Sequence, residues 1–229
     1  NPGGLAVLWA EENSRDALFE AMHRKEAYAT SGTRPELRFF GGWDFSREHS
    51  QGAQEAQDVC ASGNVAKIGY ARGVPMGGDL PPRPTGAVAP SFLVSAVRDP
   101  HPSGGDLDRI EIVKGWSENG AAKESVLTVA GGDKQAEVDL ATCEPRGRGH
   151  AQLCQVWTDP DFDPTQPAFY YARLRENPSC RWTQWACNAA GVRCEDPATI
   201  GEGYEACCSG EVPATIQERA WSSPIWYQP

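Results

Sequence analysis

Over residues 4–10, GLAVLWA, apolar side chains run almost without interruption, the pattern of a short strand covered on both faces. Asn13 then stands where an N-cap belongs, with Asp16 in the turn that follows. Ala17, Leu18, Ala21 and Met22 recur at helical spacing while Arg15, Glu20 and Arg24 point elsewhere, which predicts a helix near residues 14–28. The segment TSGTRP, residues 30–35, is expected to end it. A parallel strand followed by a helix is half of a crossover and needs neighbouring strands to bury its faces. Nothing later in the chain repeats the pattern.

From about residue 35 the pattern changes to apolar segments separated by turn clusters. Strands are expected at ELRFFGGWDF (36–45), NVAKIGYARG (64–73), SFLVSAVRD (91–99), LDRIEIVKGW (107–116), ESVLTVAGG (124–132), QAEVDLAT (135–142), AQLCQVWT (151–158), AFYYARLREN (168–177) and SSPIWYQ (222–228). In the fourth of these, Ile110 and Ile112 fall on one face and Arg109 and Glu111 on the other, the period-two alternation of a half-buried strand. The stretch GGDLPPRPTGAVAP (77–90) is too rich in Pro and Gly for regular structure. The fold class that follows is mainly β: an antiparallel β-sandwich over residues 35–229, preceded by one βα unit over residues 1–34.

Composition agrees, since 24 Gly and 18 Pro in 229 residues mean many turns. A formal net charge of −10 leaves no basic segment for a nucleic acid or an anionic membrane surface. No apolar run approaches the roughly 20 residues that span a bilayer. The chain begins at Asn1 with neither an initiator Met nor a signal peptide, so processing or truncation is expected.

Eight cysteines change the picture further. Cys180, Cys187, Cys194, Cys207 and Cys208 crowd into one stretch without hydrophobic period, and Cys60, Cys143 and Cys154 lie outside it. Closely spaced C-x-x-C pairs or interleaved His, which a metal cluster would need, are missing from that stretch. All eight are therefore disulfide candidates, in a protein expected to be periplasmic or extracellular, with an irregular lobe at about residues 177–212. Connectivity in the lobe stays open, except that adjacent Cys207 and Cys208 should take different partners. Cys143 and Cys154 are expected to close a local hairpin.

Candidate chemistry is sparse. Glu11 and Glu12 follow the C-terminal end of the first strand, where α/β barrels carry catalytic loops, and a pair of carboxylates there could bind a metal or work as acid and base; the plainer alternative is an exposed loop whose negative charge suits the helix dipole. Asp159, Asp161 and Asp163 alternate like the first half of a calcium loop, but Pro164 and Tyr170 stand where that loop needs Gly and a bidentate Glu. His23, His49, His101 and His150 belong to no H-x-H or H-E-x-x-H motif. Eight Trp and six Tyr invite a carbohydrate-stacking reading; in a sandwich, however, most aromatics, among them Trp116, Trp157 and Trp226, should be core.

The segments WAEENSRDALFEAMHRKEAYATSGTR, RFFGGWDF, YARGVPMGGDL, RIEIVKGW, FYYARLRENPSCRW and IQERAWSSPIWY, in that order, closely resemble the bacterial domain-of-unknown-function 3604 family. That family looks like a branch of the polymerase and histidinol phosphatase (PHP) type metallohydrolases. The resemblance implies that residues 4–30 are the last strand and helix of a metal-binding (β/α) barrel, with YATSGTR at the junction to the sandwich. It implies a divalent metal in an N-terminal barrel segment, which would be this chain's partner, and hydrolysis of phosphoesters or related esters there. The family's H-x-H and Asp-x-His metal motifs lie upstream of the segments that match here, so no metal ligand carries over; Glu11 or Glu12 would at most reach the catalytic rim. The alternative is a stand-alone sandwich that binds a glycan or a protein.

Overall fold

The structure, a computed structural model, describes residues 3–45, 59–101 and 104–229. It is mainly β and antiparallel, as the alternation predicts. One seven-stranded sheet is built from β1 (Leu5–Leu8), β2 (Ala27–Thr30), β6 (Leu107–Glu118), β7 (Ala121–Gly131), β11 (Ala168–Cys180), β12 (Thr215–Ser222) and β13 (Ile225–Tyr227). Its order is β1-β2-β12-β11-β6-β7, and β13 pairs with the start of β11 in line with β12. A four-stranded sheet faces it, built from β3 (Glu36–Gly42), β4 (Val74–Pro75), β5 (Ser91–Val97) and β10 (Gln152–Thr158) in the order β10-β5-β3-β4. Two short strands, β8 (Glu137–Val138) and β9 (Pro145–Arg146), pair apart.

The core between the sheets collects the inward face of each strand: Leu37 and Phe39, Phe92, Val94 and Ala96, Ile110 and Ile112, Tyr170, Ala172 and Leu174. Ile110 and Ile112 are fully buried, as their alternation predicts. The strand is not half-buried, however: Glu111 on its other face is buried too, beneath Arg109, Arg173 and Arg175, which donate to its carboxylate. The four-stranded sheet is buried on its second face too. There Phe40, Leu93 and Val156 meet Val65 and Ile68 of α2 (Val65–Arg72).

Several elements differ from the sequence pattern. Within the expected strand at 64–73, Val65–Arg72 is helix instead, because Val65, Ile68 and Gly69 form one helical face that seats on Phe40. Gly69 allows the contact: a Cβ there would stand 2.4 Å from the Phe40 ring. At the head of the chain, α1 (Arg15–His23) is shorter than expected, and its N-cap is Ser14, whose Oγ accepts the Ala17 N–H at 3.2 Å, rather than Asn13. Lys25 takes a left-handed conformation (φ 59°) and turns the chain back into β2 before TSGTRP is reached. The expected parallel pairing of the first strand gives way to an antiparallel ladder, Leu5 opposite Thr30 and Leu8 opposite Ala27, which continues through β2 into β12. β1 and β2 are thus strands of the larger sheet, with α1 in the connection between them. The expected strand at 135–142 shrinks to β8, and β12 is a central strand that the alternation had not marked.

All described cysteines are oxidised, in four bridges: Cys60–Cys154, Cys143–Cys180, Cys187–Cys207 and Cys194–Cys208. The expected Cys143–Cys154 hairpin closure is incorrect. Cys154 lies on the face of β10 that meets the α2 segment and bridges to Cys60 there, while Cys143 ties the β8–β9 turn to the end of β11. Cys207 and Cys208 do take different partners. Their lobe holds α3 (Trp182–Ala189), one 3-10 turn (Pro197–Thr199) and α4 (Ala206–Ser209).

Candidate functional site

Three groups of side chains and two cavities stand out. The first closes the C-terminal end of β1. Trp9 donates its indole N–H to the Leu37 carbonyl at 3.0 Å, and the Arg38 guanidinium lies 3.3 Å over the Trp9 ring. Beside them Glu26, only 2 % exposed, accepts from Arg24 at 3.2 Å and from the Tyr70 hydroxyl. Burial, with the Glu26 carboxylate next to it, pushes the Tyr70 hydroxyl up to about 12. Glu11 and Glu12 follow directly on this network in the loop before α1, and both are exposed. The network binds its own charges internally, so any acid–base work by Glu11 or Glu12 would need a partner surface laid against that loop.

The second group lies where YATSGTR meets β11 and β12. Thr33 donates to Glu176 Oε1 at 2.5 Å, the Gly105 N–H to its Oε2 at 3.2 Å, and Ser31 to Glu218. Burial raises the Glu176 carboxyl to about 7, and the nearby charges of Glu218 and Asp99 add to the shift. Burial would also raise Asp99, but the backbone N–H groups of His101 and Arg34 outweigh it and hold that carboxyl below the ordinary range. A carboxyl that titrates near neutrality has the affinity of a general acid or base. Glu176 is only 2 % exposed and both its oxygens are engaged, so it holds the junction together instead.

The third group is a buried ion pair. Lys114 reaches Asp159 Oδ2 at 2.6 Å and the Asp161 carbonyl at 2.7 Å, and the Tyr170 hydroxyl donates to the same Asp159 oxygen at 2.7 Å. Burial raises the Tyr170 hydroxyl far above its usual value, and the Asp159 carboxylate raises it further. This arrangement absorbs the calcium-like triplet: Asp159 is committed to Lys114 and Tyr170, and Asp163 accepts from Thr165. Asp159 also borders a cavity of about 370 Å³ with Trp43 and Phe162.

The remaining sequence candidates do not converge. His23 stacks on Phe19 in the last turn of α1, and His150 meets Asp133 at 2.9 Å. His101 lies next to Asp99, and His49 lies outside the described residues. Among the described residues no three His, Cys, Asp or Glu are placed to hold a metal ion. Trp116 and Trp157 pack on the core as expected, whereas Trp226 is 38 % exposed. Trp182 and Trp185 depart furthest from the core reading and stand exposed on α3. Beside Trp182, Tyr204, Val212 and the Cys187–Cys207 bridge line a cavity of about 410 Å³. The signal for them was their place within an aperiodic, cysteine-rich stretch, which has no strand to carry them into a core.

The architecture defines an antiparallel β-sandwich protein with a disulfide-stapled lobe on one strand end. The chain belongs to the family described as a protein of unknown function, DUF3604, which matches it over residues 1–229. No curated protein matches the chain. No solved structure matches it either.

Proposed function

We propose that this chain is the β-sandwich portion of a secreted metal-dependent hydrolase of phosphoesters or related esters, whose metal centre belongs to an N-terminal barrel of the PHP type. The observation that carries this reading is the outer side of α1. Phe19 is 58 % exposed and Met22 54 % exposed, on a helix that flanks β1, itself an edge strand of the larger sheet. An apolar helix face beside a free strand edge suits a further layer, and the barrel that the family resemblance implies would supply it. Among the described residues no His, Cys, Asp or Glu cluster fits a metal site, so this chain's part is to carry the barrel and to place Glu11 or Glu12 at the rim. Four disulfides fit secretion to an oxidising compartment. No described helix is long and apolar enough to cross a membrane.

The test is to express the chain with and without the segment encoded upstream, and to assay bound metal and hydrolysis of bis(p-nitrophenyl) phosphate. Metal and turnover are expected only when both parts are present, and Phe19→Asp together with Met22→Asp should abolish their association. Tightly bound stoichiometric metal with turnover by the 229-residue chain alone would overturn the proposal, as would association indifferent to both substitutions.

A further inference from the structure

The cavity in the cysteine-rich lobe is independent of the barrel reading and has a different chemistry. Its wall contains Trp182, Thr183, Gln184, Tyr204, Val212 and Ala214, and no residue lining it is charged. In a chain with 23 % charged residues that neutrality selects against ionic ligands, which would lose hydration there without gaining a counter-charge. A volume of about 410 Å³ lies within the usual range for small-molecule sites, roughly 300–1,000 Å³.

The site is also held rigid. The Cys187–Cys207 bridge lines it, Cys194–Cys208 cross-links the same lobe, and Asn188 of α3 donates to the Leu140 carbonyl at 2.8 Å and the Ala141 carbonyl at 3.1 Å. On this fixed base Trp182 is 75 % exposed, and Trp185, one turn on and on the same side of α3, is 54 % exposed. A Trp carried on a backbone that is already fixed costs less entropy to use in binding, since only its side-chain torsions remain to be ordered. Gln184 is anchored through its amide nitrogen to the Leu140 carbonyl and to Asn188, which leaves its carbonyl oxygen for a ligand hydroxyl. Thr183 and Tyr204, the hydroxyl-bearing residues of the lining, complete its polar complement.

A flat apolar platform, a few neutral hydrogen-bonding groups and no charge match one ligand class: a pyranose ring, whose C–H face stacks on an indole while its rim offers hydroxyls. We propose that the lobe is a binding site for a neutral sugar unit, with Trp182 as the stacking platform and Gln184, Thr183 and Tyr204 as the polar contacts.

The experiment is calorimetric titration of the oxidised full chain with cellohexaose, maltohexaose, xylohexaose and chitohexaose, and in a separate arm with a neutral oligomannose glycan. The two arms distinguish a polysaccharide from a glycoprotein source. Polygalacturonate and anilinonaphthalene sulfonate serve as charged and apolar probes. At least one neutral sugar should bind, and Trp182→Ala should weaken it by about tenfold or more, as loss of a Trp anchor does. The melting temperature should not move, because Trp182 is largely in solvent. Tyr204→Phe should give a smaller loss, of about threefold to tenfold, for one hydrogen bond. The proposal is overturned if no neutral sugar binds at millimolar concentration, if binding ignores Trp182→Ala, or if only the charged or apolar probe occupies the lobe.

Discussion

Thr33 donates its hydroxyl to Oε1 of Glu176 at 2.5 Å, joining the turn after β2 to β11 across 143 positions of chain. The carboxyl that accepts is raised to about 7, chiefly by burial, from an ordinary value of 4.5. A folded-state pKa above the unfolded one means that the fold binds this proton more tightly than the open chain does. The associated stabilisation is complete below about pH 4.5 and is lost as pH rises through about 7. Glu176→Gln cannot ionise and should remove this slope. In urea unfolding at about pH 5 and about pH 8, wild type should lose about 2–3 kcal/mol more than the variant. Parallel pH profiles for the two proteins would show that Glu176 does not titrate in this way.

Lys114 and Asp159 are a buried pair, 5 % and 2 % exposed, and neither can be removed without leaving the other uncompensated. Lys114→Met should cost about 3–5 kcal/mol. The double variant Lys114→Met, Asp159→Asn should recover part of that loss, since the orphaned charge is gone. A double-mutant cycle by chemical denaturation reads the coupling; strictly additive losses would argue against a direct pair.

The four disulfides should contribute unequally, because they close loops of different length. Cys60–Cys154 spans 94 residues and Cys194–Cys208 spans 14. On the chain-entropy account, Ser replacement of the first pair should cost about 4–5 kcal/mol and of the second about 3 kcal/mol. Thiol titration of the denatured, unreduced protein should find essentially no free cysteine. Peptide mapping that recovers a Cys143–Cys154 linkage would contradict the arrangement.

Gly69→Ala sets two effects against each other. Alanine improves helix propensity by about 1 kcal/mol, but the new methyl would collide with the Phe40 ring 2.4 Å away. Overpacking of this kind costs about 1–3 kcal/mol, so the variant should be less stable, with α2 displaced from β3. A melting temperature at or above that of wild type would mean that the helix can slide away freely.

What could be read along the chain was local. The alternation in LDRIEIVKGW placed Ile110 and Ile112 inside because side chains on a strand repeat every two residues whatever lies opposite. Crowded cysteines pointed to disulfides because an aperiodic segment has no core of its own to hold it. The features that needed the fold all depend on distant partners. VAKIGYAR is short enough to suit either period, and only the Phe40 face and the Cys60–Cys154 bridge beside it favour the helix. Strand β1 looked like half of a parallel crossover because nothing within it reveals that β2 folds back beside it. The sequence around Glu176 reads as an ordinary polar strand end. Its burial, its shifted carboxyl and its bond to Thr33 arise only when β11 meets the β2–β3 turn, since the dielectric surroundings of a side chain are set by what tertiary contact brings against it, not by its neighbours along the backbone.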